Sequence, residues 1–149
     1  MEANSKAHVH GALTLILKRE DGSNEVIHKD NIIVQNGFDF ICDAIGNAGS
    51  RPACMGYIAL GTGTATPAAG DTALGTEVSR LAATYAHTEG TQQFSFTATF
   101  NPGVATAALT EAGVFNAASG GTMFDHVSFP VVNKGANDTL TAVFTFTLS

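Results

Sequence analysis

Two histidines one residue apart, His8-Val9-His10, place both imidazoles on one side of an extended segment. That spacing suits a divalent metal. No third ligand stands close in the chain, so His8 and His10 are expected on a polar arm that meets a partner. Gly61-Thr62-Gly63-Thr64 has the look of a backbone cradle for phosphate. It lacks the Gly-Lys-Ser/Thr ending of a P-loop, and no helix follows at once to point its N-terminus at an anion. A turn that brings the backbone close to a neighbour, with Gly61, Thr62, Gly63 and Thr64 as partner contacts, fits those residues better. Glu77 and Arg80 flank Val78-Ser79, and Glu111 opens a later strand. Paired carboxylates suit acid–base work, but no nucleophile or ligand cluster accompanies these. They are expected to form a structural ion pair, Arg80 with Glu77 or with Glu111 across strands. Asp125 and His126 are adjacent in a strand and so face opposite ways. Ser128 shares the His126 face, yet a Ser–His pair without an orienting acid is not a triad. No catalytic residue, cofactor site or metal site emerges.

The elements that must hold these residues are mostly strands. Gln93 to Phe100 and Thr139 to Leu148 alternate Phe, Leu or Ala with Thr or Ser. Period-two alternation marks strands with one face in a core. Threonine suits the other face because β-branching fits a pleated surface. Further strands are expected over 12–17, 25–28, 31–34, 57–60, 78–87, 112–116 and 123–129. Turns carry Asp21-Gly22, Glu89-Gly90, Asn101-Pro102-Gly103 and Ser119-Gly120-Gly121. One helix is expected over 36–47, with Asn36 as N-cap, Asp39 in the first turn, and Phe38, Ile41, Cys42 and Ile45 as the apolar stripe. The segment from Gly61 to Thr72 reads as a long loop, with Asp71 closing an Asx-type turn and counting, like Gly61, Thr62, Gly63 and Thr64, as a partner contact. The fold class is all-β, an antiparallel β-sandwich or jelly roll with one short helix. Residues 1–10 form the arm and 11–149 a single domain.

Composition removes several classes. Charged residues are 13% of the chain, about half of the ~25% usual in soluble domains. So little charge points to a surface partly covered by something else. The net charge of −6 argues against nucleic acid, whose binding needs Lys and Arg on phosphates. No apolar run approaches the ~20 residues of a membrane helix. The first residues lack the apolar core of a signal peptide. Cys42 and Cys54 are too few for a disulfide framework and read as reduced thiols, a single bridge being the alternative.

Two stretches carry a family resemblance. The first runs Ile58-Ala59-Leu60-Gly61-Thr62-Gly63, Ala68-Ala69-Gly70-Asp71-Thr72-Ala73-Leu74, then Glu77-Val78-Ser79-Arg80. The second is Leu109-Thr110-Glu111-Ala112-Gly113-Val114-Phe115-Asn116, followed by Ser119-Gly120-Gly121-Thr122-Met123. From about Asn31 to Ser149 the chain resembles small structural proteins of tailed bacteriophages, most of all capsid decoration, or cement, proteins. The resemblance implies a non-enzymatic virion protein, made in the host cytoplasm and bound to the outside of the head. Its partners would be the major capsid protein and further copies of itself, as a dimer or trimer. The same resemblance admits a tail-fibre or baseplate-associated component. A carbohydrate-binding module for host attachment is the alternative from another class. The chain has no Trp and only Tyr57 and Tyr85 to offer such a module as sugar platforms.

Overall fold

The computed structural model describes residues 6–149. Nine strands and one helix follow in the order β1 (Val9–Lys18), β2 (Asn24–Ile33), α1 (Gln35–Gly46), β3 (Tyr57–Gly61), β4 (Glu77–Ala82), β5 (Thr84–His87), β6 (Gln93–Phe100), β7 (Ala107–Phe115), β8 (Asp125–Lys134) and β9 (Thr139–Leu148). They form one antiparallel sheet in the order β4-β3-β7-β8-β2-β1-β9-β6-β5. The sheet creases where β2 meets β8, because only Ile32 and Ile33 pair there, with His126 and Asp125. The crease gives two layers, β2-β1-β9-β6-β5 and β4-β3-β7-β8, around a shared core. The expected all-β sandwich with a single helix is what the chain adopts.

The alternation in the sequence explains the core. Leu140, Ala142, Phe144 and Phe146 of β9 are fully buried, and Phe96, Ala98 and Phe100 of β6 join them. Leu13, Leu15 and Leu17 of β1 complete this wall, facing Ile58, Leu60, Leu109 and Val127 from the other layer. A second, smaller cluster lies on the outer side of β3 and β7. There Ala59, Phe115, Met123 and Val34 pack with Leu74, which comes from the loop between β3 and β4. That loop is thus a third layer over β3 and β7, and it has an apolar anchor.

Four expectations change. Residues 78–87 are not one strand. Residues 77–82 pair with β3 and residues 84–87 with β6, on opposite edges of the sheet. The chain crosses between the edges at Ala83, whose N–H donates to the Gly56 carbonyl at 2.8 Å. The expected arm also shortens. The His8 and Ser149 backbones hydrogen-bond each other, and Val9 and His10 pair with Leu148 and Thr147. Residues 1–5 of that arm lie outside the described residues. The two short strands expected over 25–28 and 31–34 are one continuous strand, β2.

The fourth change is the helix. Val34 caps α1 without a side-chain hydrogen bond, and no acidic residue stands in the first turn. Asp39 instead accepts from Gln35 Nε2 at 3.1 Å. The packed face is Gly37, Phe40, Ile41 and Ala44, while Phe38, Cys42 and Ile45 are exposed. Gly37 decides this rotation. A Cβ there would run into the Phe124 carbonyl and Ile33, so the glycine lets α1 sit directly on backbone. Phe40 then meets the Phe124 ring edge-on at 6.1 Å. Close backbone approach outweighs the more apolar stripe.

Candidate functional site

The glycine-rich segment does hold an anion, and the anion is a side chain of the same protein. Glu111 of β7 points outward into the β3–β4 loop. Its Oε2 accepts the Gly63 N–H at 2.6 Å and the Thr76 N–H at 2.8 Å, and its Oε1 accepts the Gly75 N–H at 2.8 Å. The Thr110 hydroxyl donates to the Gly63 carbonyl at 2.7 Å. A Cβ at Gly63 would collide with the Glu111 carboxylate. The absent side chain is what lets the amides close on it.

His126 of β8 completes the cluster. Its Nε2 lies 3.0 Å from Glu111 Oε1 and its Nδ1 lies 2.7 Å from Asp71 Oδ2. Asp71 also accepts the Ala68 N–H at 2.8 Å, so it closes the turn that precedes it and not the expected Asx-type turn, whose bond runs two residues on. Glu111 is paired with Ser128 in the ladder. His126, two residues earlier on β8, is therefore a diagonal neighbour on the same face. An imidazole between two carboxylates donates to both only as the imidazolium. The arrangement is an Asp–His–Glu latch, with Glu111 and His126 buried and Asp71 at the rim.

Both carboxyls of the cluster are held below their ordinary values. Burial works to raise the Glu111 carboxyl, but hydrogen bonds from Thr76, Gly75, His126 and Gly63 outweigh it and leave the group below its ordinary value. Asp71 is likewise lowered: burial opposes the shift, and the Ala68 N–H and His126 prevail. A carboxyl whose folded pKa is depressed stabilises the fold above its unfolded value, and that contribution disappears as pH falls through the folded one. The latch is thus expected to hold at neutral pH and to weaken below about pH 4, where free carboxylates take up protons. Urea unfolding across pH 3–7 checks this. Asp125 titrates in the opposite sense, so the comparison belongs in the Asp125→Asn background.

Asp125 faces the core, opposite to His126 as the strand geometry requires. Burial pushes its carboxyl well above the usual range, against the Val114 N–H that it accepts at 2.9 Å. Asn31 Nδ2 lies 2.6 Å from its other oxygen, and Asn31 Oδ1 has no partner. Turning the amide over presents that orphan oxygen to the proton of a neutral Asp125. Asp125→Asn keeps both contacts and is expected to stay within about 1 kcal/mol of wild type. Asp125→Ala strands two buried groups and is expected to cost about 2–3 kcal/mol. Chemical denaturation of both variants checks the difference.

Arg80 pairs with Glu77, at 2.6 Å, and not with Glu111. Glu111 is spent on the loop amides. The Arg80 guanidinium also donates to the Ala117 and Gly120 carbonyls and lies 3.8 Å from the centre of the Phe115 ring. It therefore ties the β7–β8 turn to β4. His8 is exposed, and His10 lies 3.5 Å from Asp30. Gly61 is buried and Thr62 is half-buried, its N–H donating to the Thr76 carbonyl at 2.9 Å, while Thr64 is exposed at the loop tip. Cys42 and Cys54 are both free and exposed. Among the described residues no group of three or more His, Cys, Asp or Glu is placed to hold a metal. No helix among them is long and apolar enough to cross a membrane.

An apolar cleft of about 560 Å³ opens at one end of the sandwich, between α1 and the β5–β6 edge. Phe40, Ile41, Tyr85, Phe94, Phe96 and Leu148 are among its walls. The sequence did not point to this cleft, nor to His126 as the partner of Glu111 and Asp71. Those three residues stand 15 and 55 positions apart. Only a β7–β8 pairing in the correct register would have brought the first two together. Comparison with family models, with curated proteins and with solved structures finds no match to this chain.

Proposed function

We propose that this protein is a virion structural component that decorates the outside of a phage head and stabilises contacts between major capsid proteins. The observation that supports this reading best is the Asp71–His126–Glu111 latch. Its buried groups are consumed in backbone and side-chain hydrogen bonds, so the cluster shapes a loop. A reaction centre would leave a nucleophile or a base open to substrate, whereas here the Glu111 oxygens and both His126 nitrogens already have partners. The outcome is a stiff loop with Thr64, Ala65 and Thr66 exposed at its tip. A preformed loop loses little conformational freedom when it docks. Many modest contacts tied to one lattice then act together.

Quantitative mass spectrometry of purified particles of the encoding phage tests the proposal. A copy number of the same order as the major capsid protein supports it. A few copies per particle would move the protein to the tail, and absence from particles would end the virion reading. A finer test uses the loop tip. The Thr64→Glu, Thr66→Glu double variant is expected to weaken binding to isolated heads by about tenfold or more with an unchanged Tm. Unchanged binding would remove the loop from the contact.

A further inference from the structure

The two layers leave their outer faces in unequal states. The outer side of β3 and β7 lies under the loop that Glu111 and Leu74 anchor. The outer side of β2-β1-β9-β6-β5 has no such cover among the described residues. Ladder pairing places Thr14, Val143 and Thr97 in one row across it and Ile16, Thr141 and Thr99 in the next. On the three central strands the only Asp, Glu, Lys or Arg facing that way is Lys18, at the last position of β1. Asp30 sits at the β2 margin, against His10. Exposed surfaces usually carry about 25–35% charged residues. A sheet face with a neutral centre and charges only at its rim has the anatomy of an interface.

We infer that this threonine face is the contact between two copies of the chain, related by a two-fold axis lying in the contact plane. Four observations favour a second copy as the occupant. Each chain carries −6, so copies repel except where they can meet across a neutral surface. A threonine hydroxyl both donates and accepts, as Thr99 and Thr141 already do at 3.4 Å, so hydroxyl rows suit each other. The face measures roughly 24 Å by 27 Å from strand spacing and rise, or about 650 Å². Two such faces would bury about 1,300 Å², within the range of stable interfaces.

The fourth observation is shape. Ile16 and Val26 are cross-strand partners and project as a ridge, 37% and 54% exposed. Diagonally across the face is a hollow of about 280 Å³, with Ser95, Val143 and Thr145 among its walls. Ridge and hollow lie on opposite sides of the centre of the face. An axis perpendicular to the line joining them sets each ridge into the other copy's hollow. Such self-complementarity is what a closed two-fold contact needs.

The inference rests on the reading of this protein as an assembly component, but its test needs purified protein alone. A failure here and an absence from virions are therefore separate results. Sedimentation equilibrium and light scattering at micromolar concentration are expected to give a dimer. Ile16→Lys, Ser95→Glu and Thr145→Lys should each give a folded monomer by circular dichroism. Val131→Lys, an exposed position on β8 away from the face, should stay dimeric. Mixing the Ile16→Lys and Ser95→Glu chains should restore a heterodimer, which a general loss of folding could not produce. A monomeric or trimeric wild type would overturn the proposal. So would a dimer that persists in all three face variants.

Discussion

Glu111→Ala is expected to be among the most damaging single substitutions in this chain, costing about 3–5 kcal/mol. Three backbone N–H groups lose their acceptor at once, and His126 keeps Asp71 alone. Removing one partner from a buried polar set costs the desolvation of everything left behind. For a domain of this length the loss corresponds to a fall in Tm on the order of 10 °C. Glu111→Gln keeps the shape but turns an amide toward amides, and about 1–3 kcal/mol is expected. Hydrogen exchange should show the reason directly. The Gly63, Gly75 and Thr76 amides are expected to lose protection in Glu111→Ala, while those of β9 keep theirs apart from the global loss. A Tm within 2 °C of wild type, or loop amides still protected, would sink the latch.

Phe146→Ala is expected to cost a similar amount for an unrelated reason. Phe146 is fully buried. Its ring lies 5.0 Å from Phe124 and 5.2 Å from Phe94, with Phe144 and Phe96 slightly further off. Truncating such a residue loses transfer free energy and leaves a cavity, together about 3–5 kcal/mol. Its neighbour across the ladder on β1 is Gly11, which has no side chain to move into the gap. Urea denaturation should show a lower midpoint with an unchanged slope. Phe146→Leu, which refills much of the space, should recover more than half of the loss. With typical domain stabilities of about 5–15 kcal/mol, combining Phe146→Ala with Glu111→Ala is expected to leave little folded protein.

Legibility in the sequence followed the range of the interactions. β6 and β9 were readable to within a residue because their alternation is local and their inner residues are fully apolar. The turns were readable because Gly22, Gly90, Gly103, Gly120 and Gly121 all take positive φ. The face of α1 was misread because a single glycine, by admitting backbone contact, overruled three more apolar side chains, Phe38, Cys42 and Ile45. The split between β4 and β5 was invisible because Ala83 carries no turn signal. The latch needed tertiary information. Asp71, Glu111 and His126 each have ordinary local roles, and only the β7–β8 register and the fold of the loop bring them together. The chain did carry a clue: a Gly-rich loop without a phosphate-loop ending had amides to offer and no external anion to explain them.

β9 is synthesised after the eight other described strands, yet it lies between β1 and β6, pairing with both along nearly its full length. The β5–β6 hairpin therefore has no sheet to join, and β1 keeps an open edge, until residues 139–148 are synthesised. Until then the edges of β1 and β6 that β9 will join carry unpaired backbone groups. Sheets closed by such distant segments fold on the slower millisecond-to-second scale. The threonine face exists only after this closure, since β9 is its central strand and supplies Thr141, Val143 and Thr145. Self-recognition is therefore withheld from unfinished chains: a truncated product lacks the surface through which it would enter an assembly.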